Sequence, residues 1–185
     1  MISHKYKCVF IHIPKSAGVS IYNVFKSHEQ HHKTLDEHKG WKHEYFKFCF
    51  VRNTWDRFLS TYFYFKKYGR QRVGDLKDGK IVNQFKDFKE FVKSFHNIEK
   101  KFSDRHFNCQ VHWIDGRLNF IGKFENLQED FNVVCDKIGI SRQELLHSNK
   151  SKHKHYTEYY DDETREIVAE KYSKDIEYFG YEFGE

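Results

Sequence analysis

Residues 10–21 read FIHIPKSAGVSI and hold the chain's single proline. An apolar run breaks at Pro14, passes Lys15, Ser16, Ala17 and Gly18, and resumes at helical spacing. Proline has no N–H for a strand ladder, so a strand should end there. Glycine opens a helix start to close approach by another group. The stretch predicts a strand, a small-residue loop and a helix in succession. Such a junction suits an anion, because the first helical N–H groups lack internal partners and the helix dipole adds positive potential. Lys15 supplies a full charge, and Ser16 and Ser20 supply hydroxyls. An ordinary β–α turn would read the same way in isolation.

Upstream, YKCVFIHI (6–13) is a nearly continuous β-rich run, as expected of a buried parallel strand. Downstream, Ile21, Val24 and Phe25 mark the helix. YFKFCFV (45–51) predicts a second buried strand, and Trp55, Phe58, Leu59, Tyr62 and Phe63 then form one helical stripe. Phe85, Phe88, Val92 and Phe95 mark another helix. LNFIGKF (118–124) predicts a short strand, followed by a helix on Leu127, Phe131, Val134 and Ile138 that Gly139 closes. Ser141 and Glu144 match a capping box. Residues 161–183 predict a terminal helix and aromatic tail, with acids in the first turn. The polar, glycine-rich stretch 66–84 is the best candidate for a mobile loop. Strands alternate with helices and no linker divides them. One α/β domain over 1–185 is expected, with a mostly parallel central sheet flanked by helices.

Composition narrows the classes. The 185 residues suit one domain, and 19 Phe, 12 Tyr and 3 Trp predict a core built on rings. A net charge of +5 with 13 histidines favours anionic partners: nucleotides, acidic glycans or nucleic acid. Cys8, Cys49, Cys109 and Cys135 are scattered without a Cys-x-x-Cys pair, which points to reduced thiols and a cytoplasmic protein. No apolar run approaches the roughly 18 residues of a membrane span, and MISHKYK lacks the apolar region of a signal peptide. The Walker pattern G-x-x-x-x-G-K-[ST] is missing, as is a clear acidic strand end for magnesium, which disfavours a kinase.

A second constellation, FVRNTWDRFLSTY (50–62), puts Arg52 at the end of a buried strand and Ser60 on the following helix. The carboxyl edge of an open α/β sheet is where such folds bind ligands. Asn53 or Thr54 can cap the new helix, and Arg57 lies in its first turns. Two strand-end loops, each with a cation and hydroxyls, suit two phosphate groups.

FIHIPKSAGVSI and FVRNTWDRFLSTYFYF together resemble the two cofactor motifs of the sulfotransferase family, in its carbohydrate-sulfotransferase branch with bacterial members. The first is similar to the 5′-phosphosulfate loop, usually I-P-K-T-A-G-T-S. The second is similar to the 3′-phosphate motif, usually V-R-N-P-W-D-R-x-x-S-x-Y. FIGKFENLQEDF and YYDDETREIVAEKYSKDIEYFGYEF also resemble family segments. Ser16 stands for the usual threonine, Val19 for another, Thr54 where proline is common and Lys123 where arginine is.

The resemblance implies a three-layer, P-loop-like fold and transfer of a sulfuryl group from 3′-phosphoadenosine 5′-phosphosulfate (PAPS) to an acceptor hydroxyl, first of all on a carbohydrate. The product would be adenosine 3′,5′-bisphosphate (PAP). It implies that Lys15, Ser16, Ala17, Gly18, Val19 and Ser20 cradle the phosphosulfate, with Lys15 stabilising charge on the leaving phosphate. Arg52 and Ser60 would hold the 3′-phosphate, and no metal is expected. HEQHHKTLDEH (28–38) lies where related enzymes carry a catalytic histidine. His32 matches best as the base, His31 is the alternate, and Glu29, Asp36 and His12 come next. Metal binding by His28, His31, His32 and His38 is a competing reading of that stretch, and a solvated loop is another. The basic segment 149–156 suits closure over a nucleotide, an acidic acceptor or plain solvent. Phe124 reads as an adenine neighbour or a core ring. The rival function is a non-catalytic anion- or nucleic-acid-binding module. For the enzyme, no nucleic-acid partner is expected.

Overall fold

The computed structural model describes residues 1–27, 31–68, 75–103, 105–145 and 154–185. Its strands are β1 (Ile2–Ser3), β2 (Cys8–Ile11), β3 (Phe46–Val51) and β4 (Phe120–Lys123). Its α-helices are α1 (Gly18–Phe25), α2 (Thr54–Tyr68), α3 (Leu76–Val82), α4 (Phe88–Ile98), α5 (Leu127–Ile138), α6 (Asp162–Lys171) and α7 (Ser173–Phe179). The chain divides into two compact units: Met1–Arg52 with Gln110–Lys150, and Asn53–Cys109 with Ser151–Glu185.

The first unit carries the sheet, in the order β1-β2-β3-β4. β2, β3 and β4 run parallel, in a register that pairs Ile11 with Cys49 and Cys49 with Ile121. All four residues of β2 are buried, which explains why that strand reads as an unbroken apolar run. Successive side chains point to opposite faces of a strand. Cys8, Phe10, Phe48 and Phe50 accordingly share one face and pack with Ile21 and Tyr22 of α1 and Phe131, Val134 and Cys135 of α5. The ring pair Phe10–Phe48, 5.2 Å between centroids, sits at its centre. Burying each such ring contributes about 1.5–3 kcal/mol. β1 pairs antiparallel with β2 and escapes the periodicity because it is two residues long. Gly139 closes α5 in the left-handed conformation, φ 72°, as its position predicts.

The second unit is helical and built on rings. Phe58 of α2 lies 5.0–6.0 Å from Phe88, Phe91, Phe95, Phe107 and Tyr172. Two of its buried tyrosines end on backbone carbonyls: Tyr160 donates to Trp55 and Tyr172 to Phe107, each at 2.8 Å. Burial pushes both phenols well above their ordinary range.

Four expectations change. The stretch 66–84 is helical at both described ends, since α2 reaches Tyr68 and α3 spans Leu76–Val82; residues 69–74 lie outside the described residues. Its polarity is met internally, because buried Asp78 accepts from the Ser103 N–H and hydroxyl at 2.9 and 2.8 Å. Ser141 and Glu144 start no helix within 141–145. Gln128 holds that segment instead, accepting from the Leu145 N–H and donating to the Gln143 carbonyl, both at 2.9 Å. The terminal helix is two helices parted at Tyr172, whose side chain is anchored on Phe107. Phe85 precedes α4, which begins at Phe88 behind the cap Asp87.

Candidate active site

After β2 the backbone passes through buried His12, Ile13 and Pro14 and then turns sharply, with the Ser16 N–H 3.3 Å from the Ile13 carbonyl. Lys15 and Ala17 flank that turn with φ of 68° and 63°. Left-handed conformations in non-glycine residues are strained, and such strain clusters at functional sites. Ser16 is fully buried, and its hydroxyl has no hydrogen-bond partner among the described residues. An unsatisfied buried hydroxyl costs about 1–3 kcal/mol. Ala17 precedes α1 without a side-chain cap. A Cβ added at Gly18 would fall 1.8 Å from His12 Nε2, so only glycine fits there. Strained backbone, an orphan hydroxyl and a helix start without a side-chain cap form a cradle that an oxyanion would complete. Val19 and Ser20 lie half-buried in the first turn of α1.

Arg52 leaves the end of β3 nearly buried. Its N–H donates to Gln110 Oε1 and its carbonyl accepts from Gln110 Nε2, both at 2.9 Å. Its guanidinium donates to the Lys15 carbonyl at 3.2 Å and lies 4.2 Å from the Phe124 ring centroid. Phe124, directly after β4, is thus a platform for Arg52 as well as a partly buried core ring. The carboxyl ends of three parallel strands bring together the Lys15 loop, Arg52 and Phe124, at the sheet edge where α/β folds bind ligands.

In the second unit, Asn53 is the residue that caps α2: its Oδ1 accepts from the N–H groups of Trp55 and Asp56 at 3.2 and 3.4 Å. Thr54 does not share that role, and its buried hydroxyl has no partner among the described residues. Arg57 is a structural cation, fully buried, donating to the carbonyls of His106 at 3.1 Å and Asn108 at 2.5 Å. Ser60 lies half-buried on α2.

Of the histidines, His32 is brought to the Lys15 loop. Its ring centroid is 4.4 Å from that of His12, and its Nδ1 is 3.3 Å from the His12 carbonyl. Its own carbonyl accepts from Trp113 Nε1 at 3.3 Å. His31 is exposed, and Asp36 is tied to Arg117 at 2.6 Å. Burial, aided by neighbouring positive charge, lowers His38 to about 4. His28, Glu29 and the basic residues 149–153 lie outside the described residues. Among the described residues, no three His, Cys, Asp or Glu side chains are grouped as metal ligands would be. The four cysteines are free, and burial raises the thiol of Cys8 to about 12. Gln110 and Trp113 escape a sequence reading because they sit in a stretch with no periodicity.

The sulfotransferase family model matches residues 1–182. The chain belongs to the sulfotransferase family. As its sequence predicts, this sulfotransferase-family chain is α/β with a mostly parallel sheet. It is 32% identical over 103 residues to an uncharacterized protein of Archaeoglobus fulgidus, covering 54% of this chain and 72% of that one. It is also 32% identical over 113 residues to carbohydrate sulfotransferase 14 of Danio rerio, covering 51% of this chain and 30% of that protein. No solved structure matches it at a significant level. Among the described residues, no helix is long and apolar enough to cross a membrane.

Proposed function

We propose that the chain is a PAPS-dependent sulfotransferase acting as one domain over 1–185, with a three-layer, P-loop-like arrangement and a carbohydrate hydroxyl as acceptor. The observation that carries the reading is the buried, unpartnered Ser16 hydroxyl in a strained loop ahead of a helix start without a side-chain cap. An anionic ligand satisfies all three features at once. The nucleotide, when bound, supplies an activated sulfuryl group on a phosphate leaving group. Ser16, Ala17, Gly18, Val19 and Ser20 form the cradle for its 5′ end. Arg52 and Ser60 hold the 3′-phosphate, the assignment of Ser60 resting on its motif. Lys15 stabilises negative charge on the departing phosphate oxygen, helped by the α1 N–H groups. His32 takes the acceptor hydroxyl's proton, with His31 as the alternate. His32 is favoured by its packing beside the loop. A carbohydrate acceptor rests on the motif resemblance and on the name of the Danio rerio relative. The free thiols support a reducing, cytoplasmic setting.

Calorimetry with PAP tests the reading. Micromolar binding that 5′-AMP cannot match is the expected result. Equal weak binding of both nucleotides would instead indicate a non-catalytic anion-binding module.

A further inference from the structure

Two residues outside both motifs touch the two halves of this candidate site. Gln110 and Trp113 begin and end one four-residue 3-10 turn and are 0% and 1% exposed. Side chains at i and i+3 eclipse in such a turn, so the pair acts from one side of it. Gln110 makes a reciprocal pair of 2.9 Å bonds with the Arg52 backbone. A neighbouring strand would satisfy the same two backbone groups, but the β2–β3 register ends with Cys49 opposite Ile11 and the β3–β4 register with Val51 opposite Lys123. Gln110 therefore extends the sheet's hydrogen bonding by one residue, where Arg52 needs a fixed backbone. With that backbone held, the guanidinium reaches the Lys15 carbonyl and lies over Phe124. At the other end of the turn, the indole N–H of Trp113 holds the carbonyl of His32. Fully paired buried polar groups specify a single geometry, because any rearrangement leaves one of them unpaired.

We infer that the turn Gln110–Trp113 is a clip that sets the cofactor-binding arginine in register with the candidate base. Gln110 and Trp113 are positioning residues: the first acts through Arg52, the second through His32. The inference rests on the sulfotransferase reading above.

The test pairs Gln110→Met, which keeps length and loses both bonds, with Trp113→Phe, which keeps a ring and loses the donor. For each variant, calorimetry gives the Kd for PAP, NMR follows the His32 ring signals, and a melt reports the fold. Gln110→Met should raise the Kd about tenfold, as expected for two net hydrogen bonds, and leave the His32 signals in place. Trp113→Phe should shift the His32 signals and leave the Kd within about twofold. If Gln110→Met does not fold, Gln110→Glu is measured the same way; it keeps the acceptor for the Arg52 N–H and should raise the Kd less. Two variants that leave both readouts unchanged, or that move both together in step with stability, would overturn the clip. Failure of the wild-type protein to bind PAP would overturn the cofactor reading, and the clip with it.

Discussion

The chain turns from strand to helix at 12–18 and again at 52–57, and the two junctions are finished differently, although each buries one hydroxyl without a partner among the described residues, Ser16 and Thr54. At the first, Lys15 and Ala17 hold left-handed backbone, the Ser16 hydroxyl is buried without a partner, and no side chain caps α1. Around the second, Gln110 closes the Arg52 backbone, Asn53 caps α2, and Arg57 donates to two carbonyls. Proteins pair their buried polar groups, so an unpaired set in a strained loop marks a place where the partner comes from outside. The second junction is mostly architecture. The first carries the strained backbone and the unpaired Ser16 hydroxyl on which the proposed function rests.

Replacing the candidate base is expected to have the largest effect. His32→Ala should reduce sulfuryl transfer about a hundred- to ten-thousandfold and leave PAP affinity intact. Full activity in this variant would shift the role to His31, whose variant is then measured the same way. Lys15→Ala should lower transfer about a hundredfold or more without unfolding the chain, since Lys15 is a half-exposed loop residue. Near-normal turnover would remove Lys15 from the chemistry.

Two smaller effects concern stability at the second junction. Asn53→Ala should destabilise the protein by about 1 kcal/mol in urea unfolding, because two helical N–H groups lose their acceptor. No loss would show that the cap carries little weight there. Thr54→Pro should stabilise by about 0.5–1 kcal/mol: proline suits the first helical position, and the unpaired hydroxyl disappears. A loss would mean that the Thr54 N–H or hydroxyl has a role beyond the helix start.

What could be read from sequence follows from local physics. β2 and β3 announce themselves because parallel strands buried on both faces read as near-continuous apolar runs, β4 shows only as a short run whose residues are mostly half-buried, and the 12–18 junction follows from one proline and one glycine. β1 depends on pairing with β2 and carries no pattern in two residues. The helical ends of 66–84 were hidden because Asp78 looks solvated until Ser103, distant in sequence, is seen to donate to it. Ser141 and Glu144 match a capping box, yet Gln128 competes for the same backbone and wins. In the candidate site, Lys15, Ser16, Gly18 and Arg52 were legible from their motifs. Gln110, Trp113 and the seat of Arg52 on Phe124 were not, because each is a long-range contact. Arg57 shows the reverse: a motif cation whose guanidinium serves the fold.

Ser16→Ala tests the contrast between the junctions most directly, through the urea unfolding of the ligand-free protein and the calorimetric Kd for PAP. Removing an unsatisfied buried hydroxyl should raise stability by up to about 1 kcal/mol, and removing a ligand contact should weaken PAP binding about five- to tenfold. A variant that is less stable and binds PAP as tightly as wild type would contradict the account, because the hydroxyl would then be serving the fold.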